Sequence, residues 1–396
     1  MTEPLRIGIV GVGSRGCHFV RHIATMPHLA QVVALCDRYR PRATEARDQW
    51  APHAAIYTAI DDLVADDAVE AVMTLTVDAA HPEVCLPALA AGKHVFCDKP
   101  MALTLDDCDA VVRAAAEAPG VFYLGFNLRH SPVYRTAHEL VARGDLGTVL
   151  TIEACEWYYG GQTYFRRWHR LRSAGGGLWL TKASHDFDLL NWFAGGRPTR
   201  VYAEASLSHY RARPEAGQRC SDCPVADTCP DFWDLGAAMA QNDPDVRLLH
   251  RPADAPPADL CFYNSEKDTF DNAQAMVTFD NDVRASLTVN VVASRSTRRL
   301  AVLGTAGSLE ADTSRAEVLF TERHTGRQSR WDLSAAVRGG HGGADPRLFA
   351  DFLAVCRSGG TPVTGAEEGR LAVQAGLAAR QSADTGRPVD DFRSLP

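Results

Sequence analysis

The sequence contains no apolar run approaching the roughly 20 residues that span a bilayer as a helix. Its opening, MTEPLRIGIVGVG, lacks the basic segment and long apolar stretch of a secretory leader. The expectation is a cytoplasmic protein with no membrane partner. In that reducing compartment its eleven cysteines, odd in number and scattered, do not read as a disulfide framework. Positive charge is short as well: 41 Lys and Arg against 49 Asp and Glu leave a net charge of -8, and arginines gather only locally around 166–172. A nucleic-acid partner needs a basic face, so none is expected. Internal repeats and low-complexity tracts are also missing, which excludes solenoid and disordered architectures.

What remains is globular in composition, 46% apolar and 23% charged, and at 396 residues too long for one ordinary core. Up to residue 127, short apolar runs (LRIGIV, QVVALCD, EAVMTLT, HVFC, VFYLGF) alternate with helical stretches at 15–26, 39–50, 81–91 and 104–117. That alternation predicts an α/β domain, a doubly wound parallel sheet with crossover helices, over 1–127. After a helix at 132–143, longer strand-like stretches (147–159, 198–210, 271–281, 283–293, 298–304, 315–321) joined by hairpin signals such as FDNDV and GTAGS predict an α+β domain over 128–396. Its sheet should be open and mostly antiparallel. Helices at 346–357 and 365–385 close the chain, and 211–262 reads as a Cys-rich insertion.

Two motifs carry chemistry in the first domain. IGIVGVGSRG sets Gly11, Gly13 and Gly16 in the G-x-G-x-x-G spacing directly after a strand and at the start of a helix, with Asp37 closing the second strand about 20 residues further on. Gly11 serves the tight turn, Gly13 lets a pyrophosphate approach the backbone, and Gly16 permits close helix packing. Asp37 would accept ribose hydroxyls and favours NAD, while Arg38 could neutralise a 2′-phosphate and leaves NADP open. The second motif is CDKPMAL, which places Asp98 and Lys99 where the fifth strand leaves the sheet on its carboxyl side.

The pattern GVGSRG … HPEVCLPALAAGKHVFCDKPMAL, with HGGADPRLFADFLAVCRSGGTPVTGAEEGRLAV near the end, closely resembles the glucose-fructose oxidoreductase, inositol dehydrogenase and MocA (Gfo/Idh/MocA) family. The resemblance implies Lys99 in the active site and Asp98, a shorter acid than the family's usual glutamate, near the nicotinamide ribose. It also implies Ser14, Arg15, Thr76 and His81 among the cofactor contacts. In SAGGGLWLTKASHDFDLLNWFAGG, helical spacing puts His185 at the start of a helix, where its cationic form is disfavoured and it can serve as a base. The family's aspartate four residues earlier is here Thr181, followed by Lys182. Lys182 would bring a second cation near Lys99 and, with its pKa depressed, could itself move a proton.

The stretch WYYGGQTYFRRWHRLRSAGG reads as a loop dense in tyrosine, tryptophan and arginine, residue types that stack on sugar rings and grip hydroxyl or acid groups but also populate oligomer interfaces. The resemblance makes it the substrate-side loop, with Tyr164, Arg167, Trp168 and His169, and with Thr181 and His341, as contacts. In RCSDCPVADTCP, Cys220, Cys223 and Cys229 have metal-like spacing, and Cys261 is the candidate fourth ligand for structural zinc. Together these features predict an NAD(P)-dependent oxidoreductase acting on a secondary alcohol of a sugar, sugar derivative or cyclitol. The alternative is an NAD-dependent glycoside hydrolase working through transient oxidation, elimination and addition. The small-molecule carbohydrate substrate apart, the expected partner is another copy of the chain, in a homodimer or homotetramer.

Overall fold

The computed structural model describes residues 3–240, 255–338 and 340–395, so part of the Cys-rich insertion (241–254) lies outside the described residues. The first sheet consists of β1 (Leu5–Val10), β2 (Ala30–Cys36), β3 (Ala55–Tyr57), β4 (Ala71–Thr74), β5 (His94–Cys97) and β6 (Phe122–Leu124). All pairings are parallel and the order is β3-β2-β1-β4-β5-β6, the doubly wound arrangement anticipated. Ile7, Ile9, Val72, Val95 and Phe96 are fully buried because helices cover both faces, which is why these strands read as unbroken apolar runs. The strand order reverses between β1 and β4, and at that switch point, beyond the carboxyl ends of the strands, such sheets bind ligands.

The second sheet comprises β7 (Val149–Trp157), β8 (Pro198–Ser206), β9 (Asn272–Phe279), β10 (Arg284–Asn290), β11 (Thr297–Gly304), β12 (Gly307–Asp312), β13 (Glu317–Glu322) and β14 (Gln328–Asp332). The order is β14-β13-β12-β11-β7-β10-β9-β8, antiparallel except between β7 and β10. Strict alternation in β9, with Ala273, Ala275 and Val277 buried and Met276 64% exposed, marks a sheet with one packed face and one open face. Three strands, β3, β12 and β14, carry no clear sequence signal. β14 (QSRWD) is an exposed polar edge, and β12 (GSLEAD) mixes weak strand formers, so pairing with β13 and β11 holds them extended rather than their own propensity.

The helix Gly340–Ser358, grouped with the second domain on sequence, packs on the first sheet. Its Phe352 ring meets Phe96 at 5.4 Å, and Phe349 lies 6.0 Å from Phe19. Each such buried aromatic contributes about 1.5–3 kcal/mol by transfer from water. The chain that follows runs along β6: Leu124 N donates to Thr364 O (3.0 Å) and Thr364 Oγ1 to Leu124 O (2.6 Å), which covers that edge. The last long helix, Ala366–Thr385, then lies against β8 and the helix Ser184–Ala194, joining the two parts of the molecule.

Candidate functional site

The glycine turn after β1 shows why each glycine is needed. Gly11 has φ +90°, and a Cβ there would stand 2.6 Å from Leu75 O; a Cβ on Gly16 would stand 2.1 Å from Gly11 O. Around Gly13 a Cβ would meet nothing within 4 Å, so the turn's open side is where a pyrophosphate can reach the backbone and the start of the helix Ser14–Ala24. The buried Asp37 carboxylate accepts from Val12 N and Tyr39 N, both at 2.9 Å, and so locks the turn to the end of β2. Ser14 and Arg38 are exposed beside it, and Thr76 is partly exposed after β4. These residues fit a dinucleotide.

Arg15 does something that sequence reasoning missed. It turns away from the glycine backbone: its Nη1 donates to Asp345 Oδ2 (2.8 Å) and its Nε to Asp98 Oδ2 (3.2 Å). Asp345, from HGGAD, also accepts from Asn127 Nδ2 (2.8 Å) and lies 2.7 Å from His341 Nδ1. Burial alone would raise the Asp345 pKa, but the hydrogen bonds from His341 and Arg15 hold the carboxyl well below the usual range. His341, expected as a substrate contact, is exposed, has φ +50°, and is tied to this hub.

Lys99 follows β5 as expected, with Asp98 Oδ1 accepting from Lys99 N (3.0 Å). The Lys99–Pro100 peptide is cis. His81 is buried beneath this turn, with Nδ1 2.6 Å from Pro100 O. A carbonyl can only accept, so that nitrogen carries the proton, and His81 supports the lysine turn from below. The Lys99 ammonium reaches across and donates to the backbone carbonyl of Thr181 in the second domain.

His185 lies in the first turn of the helix Ser184–Ala194, which buries Phe187 and Leu190 as anticipated. The helix is anchored by a buried ion pair. Arg129, from the turn after β6, donates from Nη2 to Asp188 Oδ1 (2.7 Å) and from Nε to Oδ2 (3.0 Å), with its guanidinium 5.2 Å over Trp192. Burial, and then the charge of Lys99, push the His185 pKa well below the ordinary imidazole value. Its Nδ1 has no hydrogen-bond partner among the described residues. A buried imidazole whose cationic form is disfavoured is a group that can accept a proton.

The substrate-side stretch is not the loop its composition indicated. It folds into the helix Gly161–Arg166 and a short turn at Trp168–Arg170, because Phe165 is fully buried and pulls the segment inward. Tyr164 meets His169 edge-on at 4.9 Å, and Trp168 stacks on His169 at 3.8 Å. Burial and then Lys99 lower the His169 pKa well below its usual value. Arg167 lines a cavity of about 230 Å³ with Thr163, Phe232 and Trp233.

Lys182 is buried and bound to Glu156 Oε1 at 2.6 Å, with its ammonium 3.7 Å from the centre of the Tyr158 ring. Arg298 binds the other oxygen of Glu156 and donates to Asp186 Oδ1 (3.0 Å). Burial lowers the Lys182 pKa, Glu156 opposes the shift and Arg298 adds to it. The depression anticipated from Lys99 thus arises chiefly from burial and Arg298. Glu156 and Asp78 are further site residues that the sequence did not single out. Asp78 follows β4 in TVDAAHP, and its position at a strand's carboxyl end was the only signal it offered.

Cys220, Cys223, Cys229 and Cys261 do come together, lining one cavity of about 200 Å³. The expected tetrahedral zinc is nevertheless not supported: among the described residues, no group of three or more His, Cys, Asp or Glu side chains could hold a metal ion. The thiols have other partners, since Cys223 Sγ accepts from Gly217 N (3.3 Å) and Cys220 lies against Arg166. The main chain, through Cys261 N to Gln218 O (2.9 Å), and Asp259, which accepts from Arg219 Nε (3.0 Å), hold this part of the insertion closed.

A glycine turn at the switch point of a parallel sheet, with Lys99 leaving the carboxyl edge of the same sheet, is the arrangement of a dinucleotide-binding Rossmann domain. Residues 5–126 match the oxidoreductase family with NAD-binding Rossmann fold (GFO_IDH_MocA), and residues 134–310 match the GFO/IDH/MocA C-terminal domain. The chain belongs to this family. It is 28% identical over 367 residues to YteT of Bacillus subtilis (strain 168), named as an oxidoreductase, covering 84% of this chain and 83% of that one. It is 24% identical over 389 residues to the myo-inositol 2-dehydrogenase of Thermotoga maritima, covering 97% and 98%. The fold is shared with the solved levoglucosan dehydrogenase in complex with NADH and levoglucosan, at 19% identity, full coverage of both chains and a TM-score of 0.76.

Proposed function

We propose that this oxidoreductase moves a hydride between NAD and a secondary alcohol of a sugar, sugar derivative or cyclitol. One observation carries the reading: Lys99, from the carboxyl edge of the first sheet, reaches into the second domain to the backbone carbonyl of Thr181, four residues before the buried His185, whose cationic form burial disfavours. Bound NAD supplies the hydride acceptor. His185 takes the hydroxyl proton of the alcohol, and Lys99 holds the oxygen as negative charge grows on it. Tyr164, Trp168 and His169 form the aromatic wall against which a sugar ring stacks, and Arg167 and Thr181 supply polar contacts. Asp37 selects NAD over NADP. Lys182, bound to Glu156, sets the charge of the wall and helps hold His185 neutral. The relatives named for inositol and levoglucosan oxidation support the substrate class.

The protein is proposed to act in the cytoplasm; among the described residues no helix is long and apolar enough to cross a membrane. A second copy, in a dimer or tetramer, would cover the open face of the second sheet, where Met276 and Leu303 are exposed. The test is a screen of myo-inositol, levoglucosan and common aldoses with NAD, following NADH absorbance. The proposal expects net NADH from at least one of them and its loss in Lys99→Met with NADH affinity retained. Release of an aglycone from aryl glycosides without net NADH would replace it with the hydrolytic alternative.

A further inference from the structure

Asp78 is a buried acid that the proposed chemistry leaves without a role. It is 4% exposed, and its Oδ2 has no hydrogen-bond partner among the described residues. An orphaned carboxyl oxygen in a dry site costs stability. What makes its position informative is Thr181, which serves two neighbours at once. The backbone carbonyl of Thr181 accepts the Lys99 ammonium, and its side chain and the Asp78 carboxyl close on the same point beside Gly175.

Room for this is made by Gly175. A Cβ on Gly175 would stand 3.3 Å from Asp78 Oδ2, 3.3 Å from Thr181 Cβ and 2.9 Å from the Trp168 ring, so any side chain there would press on the carboxyl, the threonine and the aromatic wall together. The groups facing Asp78 are Lys99 and Asp98 after β5, Cys97 at that strand's end, Tyr164 from the aromatic segment, and Thr181. Lys99 in turn faces His81, His169 and His185.

Resting on the hydride-transfer reading above, we propose that Asp78 is the positioning residue for Lys99: through its contact with Thr181 and, once ionised, its own charge it fixes the ammonium against the second domain, aimed at the substrate oxygen. Burial, opposed by Lys99, raises the Asp78 carboxyl to about 8, so this hold strengthens as the acid ionises above neutrality. In the folded protein the carboxyl stays protonated between its ordinary value and about 8, a window in which the unfolded chain has already lost the proton. The ionisation therefore lowers stability as pH rises through that window.

Residue-resolved labelling of Lys99 with acetic anhydride, read by mass spectrometry on the full chain without substrate, tests the hold on the ammonium directly. At about pH 9, where Asp78 is ionised, Asp78→Asn is expected to raise the labelling rate at Lys99 roughly threefold or more. At about pH 6, where the wild-type carboxyl is protonated, the two proteins should label alike. Equal rates at both pH values, or a difference that does not depend on pH, would overturn the assignment whether or not a sugar substrate is found. If Asp78→Asn does not fold, Thr181→Val should shift labelling in the same direction by a smaller factor, and no shift there sinks the proposal equally. With myo-inositol or levoglucosan as substrate, Asp78→Asn should lower kcat about tenfold or more at about pH 9, leave NADH affinity within about twofold, and remove an inflection from the pH profile that a merely structural residue would leave in place.

Discussion

The helix that carries His185 depends on a charge pair that does not repay its own burial, and this can be measured. Arg129 and Asp188 are 8% and 1% exposed and share a bidentate contact with a shortest distance of 2.7 Å. Burial still outweighs the pull of Arg129, and the Asp188 carboxyl is raised above its ordinary value. Asp188→Ala leaves the guanidinium over Trp192 with, among the described residues, a long contact to Val363 O (3.4 Å), an uncompensated buried charge. The expected cost is about 3–5 kcal/mol. Because the intact pair is itself expensive, replacing both partners, Arg129→Met with Asp188→Leu, should recover most of that loss and can exceed wild type by about 1–4 kcal/mol. Urea unfolding followed by circular dichroism gives the comparison, with a change in midpoint and little change in slope. A single-variant cost below about 1 kcal/mol, the range of exposed pairs, would refute the reasoning, as would a double variant no better than Asp188→Ala.

Other expectations follow from the same geometry. Gly11→Ala places a side chain at φ +90° and 2.6 Å from Leu75 O, so titration of NADH fluorescence should show affinity reduced at least tenfold. Asp37→Ser should narrow the preference for NAD over NADP, read as the ratio of kcat/KM with each cofactor; an unchanged ratio would remove Asp37 from cofactor choice. Asp345 has its folded pKa depressed, so the stability it contributes is present above its unfolded value and is lost as pH falls below about 4. Asp345→Asn should therefore flatten the acid limb of a stability profile while releasing Arg15; an unchanged limb would show that the hub does not contribute.

The period of the pattern and the spacing of glycines are local properties, and they determined the class of this protein before any contact was known. LRIGIV followed by GVGSRG could only be a buried strand entering a turn that a helix follows, and CDKP could only leave the sheet at its ligand-binding edge. His185 at a helix start was legible for the same reason. Tertiary structure decided what each charge does. Arg15 lies among the glycines in sequence but is held by Asp345, 330 residues away, and no local pattern reports such a pairing. Lys182 offers no local sign of its partner, and Glu156 on β7 holds it, because a buried ammonium goes to a carboxylate that also loses water. Four cysteines with metal-like spacing share a cavity without closing to ligation distance, since spacing limits how far thiols can stray but not where they point. Asp78 gave no motif at all; its significance lies in its place beside Thr181 and in the missing Cβ of Gly175, both from the other domain.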